Sequence, residues 1–190
     1  IIFYDEISDV KVITEGSTTT SAAVLYDILR KISLNSELNF DLKSENKLSL
    51  KSDNSDFNLL CLPTDNFPTF SDEFDDQEIP LNNTKFLKLL NKTRISISND
   101  DTRHYLNGVY FHITEDHGRN FLTGVATDSH RLSSSSLEID TVNDFKSLIL
   151  PRKTVYQLCS LLSEISEKLI MQIGENKIKF QIGNMKLISK

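Results

Sequence analysis

Between Gly108 and Ala126 apolar and polar residues alternate in a way that sets out a hairpin. Val109, Phe111 and Ile113 share one side, and Tyr110, His112 and Thr114 share the other. A period of two with one apolar side is the pattern of a half-buried strand. A polar turn follows at Glu115–Asn120, with Gly118 to relieve backbone strain. The apolar run Phe121–Ala126 then returns beside the first strand. Both ends of this hairpin carry residues that a plain strand does not require. Arg103-His104-Tyr105 precede it, and Thr127-Asp128-Ser129-His130-Arg131 follow it.

The same reading extends along the chain. Ile1–Thr14 alternates as a strand or strand pair, through Ile2 and Tyr4 and then Val10 and Val12. Gly16–Ser21 offers a turn and an N-cap for a helix whose apolar face is Ala22, Leu25, Ile28, Leu29 and Ile32. Three short strands follow, marked by Leu38/Phe40/Leu42, Leu48/Leu50 and Phe57/Leu59/Cys61. The proline-bounded loop Pro63–Pro68 and the acidic run Ser71–Glu78 then mark a domain boundary. Beyond it, Ile79–Leu81 is a short strand, and Asn82 or Asn83 caps a helix with Phe86, Leu89, Leu90 and Thr93 on its apolar face. Ile95 and Ile97 continue that helix or leave it. The hairpin comes next, then a strand at Ser133–Ile139 and a loop through Thr141–Asp144. Phe145–Leu150 is the last strand before a helix that Pro151 suits as a start.

That last helix repeats the first. Val155, Leu158, Leu161, Leu162 and Ile165 each fall 133 residues after their counterparts in Ala22–Ile32. Leu169/Met171/Ile173, Ile178/Phe180 and Met185/Leu187 then match the three earlier strands in order. A helix and three strands recurring in sequence is an internal repeat. The segment between has the same plan, so strand–helix–three-strand units run over 9–62, 78–139 and 145–190. The expected class is α+β: antiparallel sheets, with one amphipathic helix per unit packed on them.

Composition narrows the function. Net charge is −6, so a nucleic-acid partner cannot be gripped by overall charge. Basic residues are nonetheless grouped. Lys85, Lys88 and Lys92 share a helix side, Arg30 and Lys31 end the first helix, and Arg152 and Lys153 begin the third. Cations at a helix start gain nothing from the helix dipole, which hints at an external anion; a solvated face is the alternative. No run approaches the roughly 20 apolar residues of a membrane span. Cys61 and Cys159 lie in apolar contexts and read as free buried thiols of a reducing cytosol, with a disulfide as the alternative. The chain opens mid-strand without Met and ends on an alternating stretch, as an excerpt of a longer protein would.

Catalytic readings find little support. Asp128 and His130 with Ser129 or Ser133–Ser136 lack the strained elbow of a nucleophilic triad. His104, His112, His117 and His130 are spaced 8, 5 and 13 apart, which matches no common metal-ligand pattern. The six glycines form no phosphate-cradling loop.

Three stretches, TRHYLNGVYF (102–111), VATDSHRLS (125–133) and LPRKTVYQL (150–158), together with the Pro63–Pro68 loop, resemble the bacterial DNA polymerase III β sliding clamps. The resemblance implies the DNA-clamp fold, in which two head-to-tail subunits of three similar domains enclose duplex DNA, helices inward and sheets outward. On that template residues 1–70 correspond to the second half of the first domain. Residues 71–190 correspond to the second domain without its last strand, and the third domain is absent. The resemblance implies a non-catalytic, cytoplasmic processivity factor with no metal or cofactor. Its partners would be double-stranded DNA, DNA polymerase and clamp-loader subunits, other proteins bearing a clamp-binding motif, and a second subunit, with no membrane contact. This excerpt alone is expected not to close a ring.

Two sites carry over by position. The client-peptide pocket would take one wall from Leu106, Thr127, Ser129, His130, Arg131 and Leu132, with the two leucines as apolar floor. Ser129 stands where the family usually has Gly. The DNA contacts would be Arg103, His104, Tyr105, Arg152 and Lys153; His104 replaces a usual Tyr, and Asp100 and Asp101 beside them would repel phosphate. An acidic ring is physically reasonable for a sliding protein, since each neutralised phosphate adds affinity and enclosure removes the need for it. The rivals are a repeat-built interaction scaffold that never meets DNA and a small hydrolase using His130 and Asp128.

Overall fold

In the computed structural model, which describes residues 1–53, 55–68, 74, 77–140, 145–165 and 167–190, the chain divides into two units. One comprises Asp9–Ser71; the larger comprises Ile1–Ser8 and Asp72–Lys190. Most of the acidic run 71–78 and all of the loop 141–144 lie outside the described residues.

The chain opens on strand β1 (Ile2–Tyr4), which belongs to the larger unit. The smaller unit follows: β2 (Thr19–Thr20), helix α1 (Ala22–Leu29), and strands β3 (Asn39–Ser44), β4 (Lys47–Ser52) and β5 (Ser55–Leu62). Its antiparallel sheet runs β2-β5-β4-β3. Ser21 caps α1 by accepting from the Val24 backbone. Leu25 and Ile28 of α1 pack on Leu48, Leu59 and Cys61 of the sheet. The helix is shorter than its apolar face predicted. After Leu29 the backbone tightens into i→i+3 bonds, Lys31 to Ile28 and Ile32 to Leu29, which leaves Ile32 outside it. Val10 and Val12 are exposed and form no strand, contrary to the alternation; an alternating run needs an edge to pair with.

The larger unit contains β6 (Ile79–Leu81), α2 (Asn83–Thr93), β7 (Gly108–Asp116), β8 (Arg119–Thr127) and β9 (Leu132–Ile139). It continues through β10 (Leu148–Pro151), α3 (Arg152–Glu164), β11 (Leu169–Ile173), β12 (Ile178–Ile182) and β13 (Met185–Ser189). Each of the three repeats has the strand–helix–three-strand order, but the leading strand of the first is Thr19–Thr20, in the stretch read from the sequence as a turn, and not the Val10/Val12 run. The pairing has a feature that periodicity did not disclose. The sheets run β10-β7-β8-β9 and β1-β13-β12-β11-β6. The leading strand of each repeat in this unit is thus exchanged: β6 pairs with β11, Leu81 opposite Leu169, and β10 with β7, Leu150 opposite Val109.

One core joins both sheets and both helices of the larger unit. Asn82 caps α2 by accepting from the Lys85 backbone, and Phe86, Leu89, Leu90 and Thr93 are buried as expected. The Phe86 ring lies 5.9 Å from that of Phe111 on β7 and 5.9 Å from that of Phe180 on β12, so it bridges the two sheets. Ile95 falls in a short 3-10 turn and is exposed, whereas Ile97 is buried. On α3 the buried set includes Cys159, while Leu161 and Ile165 are only partly buried. Pro151 is the N-cap residue, one position before the first helical residue. Strand β10 starts at Leu148 rather than Phe145, whose side chain packs against the core. Cys61 and Cys159 are free and buried. Burial pushes the Cys159 thiol up, so it stays protonated near neutrality.

The central hairpin is tighter than the six-residue turn predicted. Its strands reach Asp116 and resume at Arg119, with His117 and Gly118 both at positive φ, as a two-residue type I′ turn requires. At its other end Gly108 faces Pro151 across the ladder. A Cβ there would sit 2.3 Å from the Leu150 carbonyl oxygen, so only glycine lets β10 approach.

Candidate functional site

The 3-10 loop before β7, the turn between β8 and β9, and the start of α3 meet at one end of the four-stranded sheet. The loop is closed by the Ser98 N–H donating to the Leu106 carbonyl at 3.0 Å. Inside it Asp100 accepts from the Thr102 backbone (3.0 Å) and hydroxyl (2.6 Å) and from Arg103 Nε (2.9 Å). The Thr102 hydrogen bonds, aided by Arg103, hold the Asp100 carboxyl below its usual range. His104, Tyr105 and Leu106 form the single 3-10 turn that follows, with Tyr105 68% exposed and Leu106 partly buried.

Arg152 anchors this loop from the far side. Its backbone N–H donates to the Asn107 carbonyl at 3.0 Å. Its guanidinium donates to Asn99 Oδ1 (2.8 Å), Asp101 Oδ1 (3.2 Å) and the Ser98 carbonyl (3.3 Å). Asn107 Nδ2 also donates to Asp101, at 2.8 Å. Asp100 and Asp101, read from sequence as repelling phosphate, are thus the residues that pair with Arg103 and Arg152 and shape the loop. The Asp100-x-Thr102-Arg103 spacing, which suits a side-chain-closed turn, was the signal available for this role. A cleft of about 420 Å³ opens beside the loop, lined by Asp101, His104, Asn107, Arg152 and Lys153 among others. Three of the five candidate DNA residues therefore share one cleft. Arg103 turns the other way, toward the β8–β9 turn.

That turn is organised by Asp128. One carboxylate oxygen accepts from the His130 and Arg131 backbones, both at 3.0 Å, and the other from Arg131 Nε at 2.9 Å. Thr127 Oγ1 donates to the Arg131 carbonyl at 2.8 Å and accepts from the Ser129 N–H at 3.2 Å. Ser129 takes φ +78°, a conformation that favours glycine. Ser129, His130, Arg131 and Leu132 are exposed, and Thr127 is half-buried. Arg103 Nη1 donates to Ser129 Oγ at 3.0 Å, which brings loop and turn together. Asp128 is committed to the turn backbone, which argues against the hydrolase reading of an acid orienting the His130 ring. Lys85, Lys88 and Lys92 are all exposed on α2.

The Asp128 carboxyl is held below its usual range by the Arg131 and His130 backbone N–H groups, with Arg131 adding a smaller effect. A depressed folded-state pKa contributes stability that is complete above the unfolded value and fades as pH falls through the folded one. The turn is therefore expected to be intact at neutral pH and to loosen only below the ordinary carboxylate range. Amide shifts of His130 and Arg131 followed by NMR should move together in that acid window, and Asp128→Asn should abolish the transition. Movement centred on the histidine range would refute this assignment.

A helix-and-sheet repeat of this kind, with exchanged leading strands and a polar loop and turn at one sheet end, has the α+β fold of the sliding clamps. The chain belongs to the DNA polymerase III beta subunit family: the model of its N-terminal domain matches residues 1–71, and that of its central domain matches residues 80–190. The beta sliding clamp of Escherichia coli is 35% identical over 175 residues, covering 92% of this chain and 46% of that protein. That of Caulobacter vibrioides is 31% identical over 177 residues, covering 92% and 48%. Among solved structures, the Caulobacter crescentus polymerase III beta superposes with a TM-score of 0.89 at 31% identity, covering 95% of this chain and 49% of that one. A sliding clamp from Bartonella birtlesii, solved bound to griselimycin, gives 0.88 at 37% identity, covering 95% and 49%. The chain thus spans about half the length of the relatives it matches.

Proposed function

We propose that this chain is part of a sliding clamp that encircles duplex DNA and tethers a replicative polymerase and other clients for processive synthesis. Residues 1–70 are the second half of its first domain, and residues 71–190 are the second domain. The complete protein is a homodimeric ring of the cytoplasm, opened and closed by clamp-loader subunits, and it tethers without catalysing. No helix among the described residues is long and apolar enough to cross a membrane.

The observation that carries this reading is the convergence of three matched stretches on one end of one sheet. Ser98–Asn107 is bonded on one side to Arg152 at the start of α3 and on the other to the turn 127–132. His104, Tyr105, Arg152 and Lys153, with Arg103, are the duplex-side residues. Arg152 serves there partly as a brace, because its guanidinium is already hydrogen-bonded within the loop. Leu106, Thr127, Ser129, His130, Arg131 and Leu132 supply one wall of the client-peptide pocket. The exposed Leu132 suits an apolar anchor of a linear motif, where most peptide-binding energy resides.

The test is topological. Full-length protein loaded on nicked circular plasmid by its clamp loader is expected to stay bound through gel filtration and to be lost once the plasmid is linearised. Equal release from both forms would favour the interaction scaffold and overturn the clamp reading.

A further inference from the structure

Arg103 is bonded to both candidate sites. Its Nε donates to Asp100 in its own loop at 2.9 Å, and its Nη1 donates to Ser129 Oγ in the β8–β9 turn at 3.0 Å. The bonds of Thr127 and Asp128 set the bend of that turn. The Arg103 bond does something else: it fastens the bend to the loop Ser98–Asn107. It does so at a residue held at φ +78°, where an L side chain is strained and a hydroxyl offers a handle that glycine lacks.

We propose that Arg103 is a positioning residue that couples the two sites. With its guanidinium on Ser129, the turn bearing His130, Arg131 and Leu132 is held ready for a client peptide; a DNA phosphate that draws the guanidinium away releases it. The inference rests on the clamp reading above and adds a regulation to it. The chemistry follows from the donor set. Arginine presents five N–H donors in a planar fork that matches two phosphate oxygens at once. With Asp100 holding Nε, a doubly bonded anion competes successfully with a single neutral hydroxyl for the Nη groups of the fork. Once released, the turn must be re-ordered by the peptide, and that ordering subtracts from affinity. Linkage then makes the effect reciprocal: duplex weakens peptide binding, and peptide weakens duplex contact by the same factor.

The experiment uses the full-length protein, a fluorescently labelled client linear-motif peptide and a short DNA duplex, with peptide affinity read by anisotropy. Arg103→Ala and Ser129→Ala are each expected to weaken peptide binding by about three- to tenfold, the size of one ordinary net hydrogen bond. The double variant should bind no more weakly than Arg103→Ala alone. Saturating duplex should weaken peptide binding to the unaltered protein by a similar factor and leave Arg103→Ala unaffected. Arg103→Lys, which keeps the charge without the fork, and Ser129→Gly, which relaxes the bend without the hydroxyl, should share that insensitivity. They keep the test valid if an alanine variant folds poorly. Multiplying losses in the double variant, or a duplex effect that persists without Arg103, would overturn the coupling. Leu132→Ala separates the two levels. If it leaves peptide binding intact, the pocket reading fails; if it destroys binding while Arg103→Ala binds normally, the pocket stands and the coupling falls.

Discussion

Phe86→Ala is expected to destabilise the larger unit by about 3–5 kcal/mol, the usual cost of deleting a buried aromatic ring. Two contributions combine. The ring is fully buried, so its transfer free energy is lost entire. It also packs against Phe111 on one sheet and Phe180 on the other, so the void opens where the two sheets are joined. Against a typical domain stability of about 5–15 kcal/mol, this removes a large share. Urea unfolding of full-length protein, followed by a probe in the larger unit, should show a lower midpoint with an unchanged slope. A loss under about 1 kcal/mol would mean that Phe86 does not bridge the sheets.

Leu132→Ala should have the opposite profile. The side chain is 66% exposed at the start of β9, opposite Thr127, so its removal costs the fold little. On the proposed reading it costs the client a great deal. A leucine fully covered by a partner contributes about 1.5–3 kcal/mol. At 1.4 kcal/mol per tenfold, that is a drop of about ten- to hundredfold in peptide affinity. Anisotropy titration with a labelled linear-motif peptide measures it, and an unchanged thermal midpoint shows that the fold is intact. Affinity within twofold of the unaltered protein would remove Leu132 from the pocket.

The two predictions reflect what was legible in the sequence and what was not. Core positions were readable because burial imposes a period. Phe86, Leu89, Leu90 and Thr93 on α2, and Val109 and Phe111 on β7, are buried where the spacing put them. The repeat was readable for the same reason, since all three copies preserve the order of periods. Strand partnership was not. Ile79–Leu81 announces a strand but says nothing of which edge it joins, and it joins the sheet of the other repeat. Val10 and Val12 carry the alternation without any partner. At the candidate site the residue types were legible and their bonding was not. Asp100 and Asp101 look like a repulsive pair on a one-dimensional reading, yet each neutralises an arginine once the loop closes. Arg103 looked like one more duplex contact. Its bond to Ser129 depends on a tertiary approach that neither spacing nor charge encodes.

The exchanged leading strands have a consequence for how the larger unit comes into being. Neither repeat can complete its sheet until the other has been synthesised, because β6 waits for β11 and β7 gains its outer neighbour only from β10. Such distant pairings must close before they are rewarded, which slows folding. During translation, then, the emerging repeat 78–139 leaves the flank of β7 open until β10 clears the ribosome. Nascent chains stalled before Leu148 should be far more protease-sensitive than those stalled beyond Ser189.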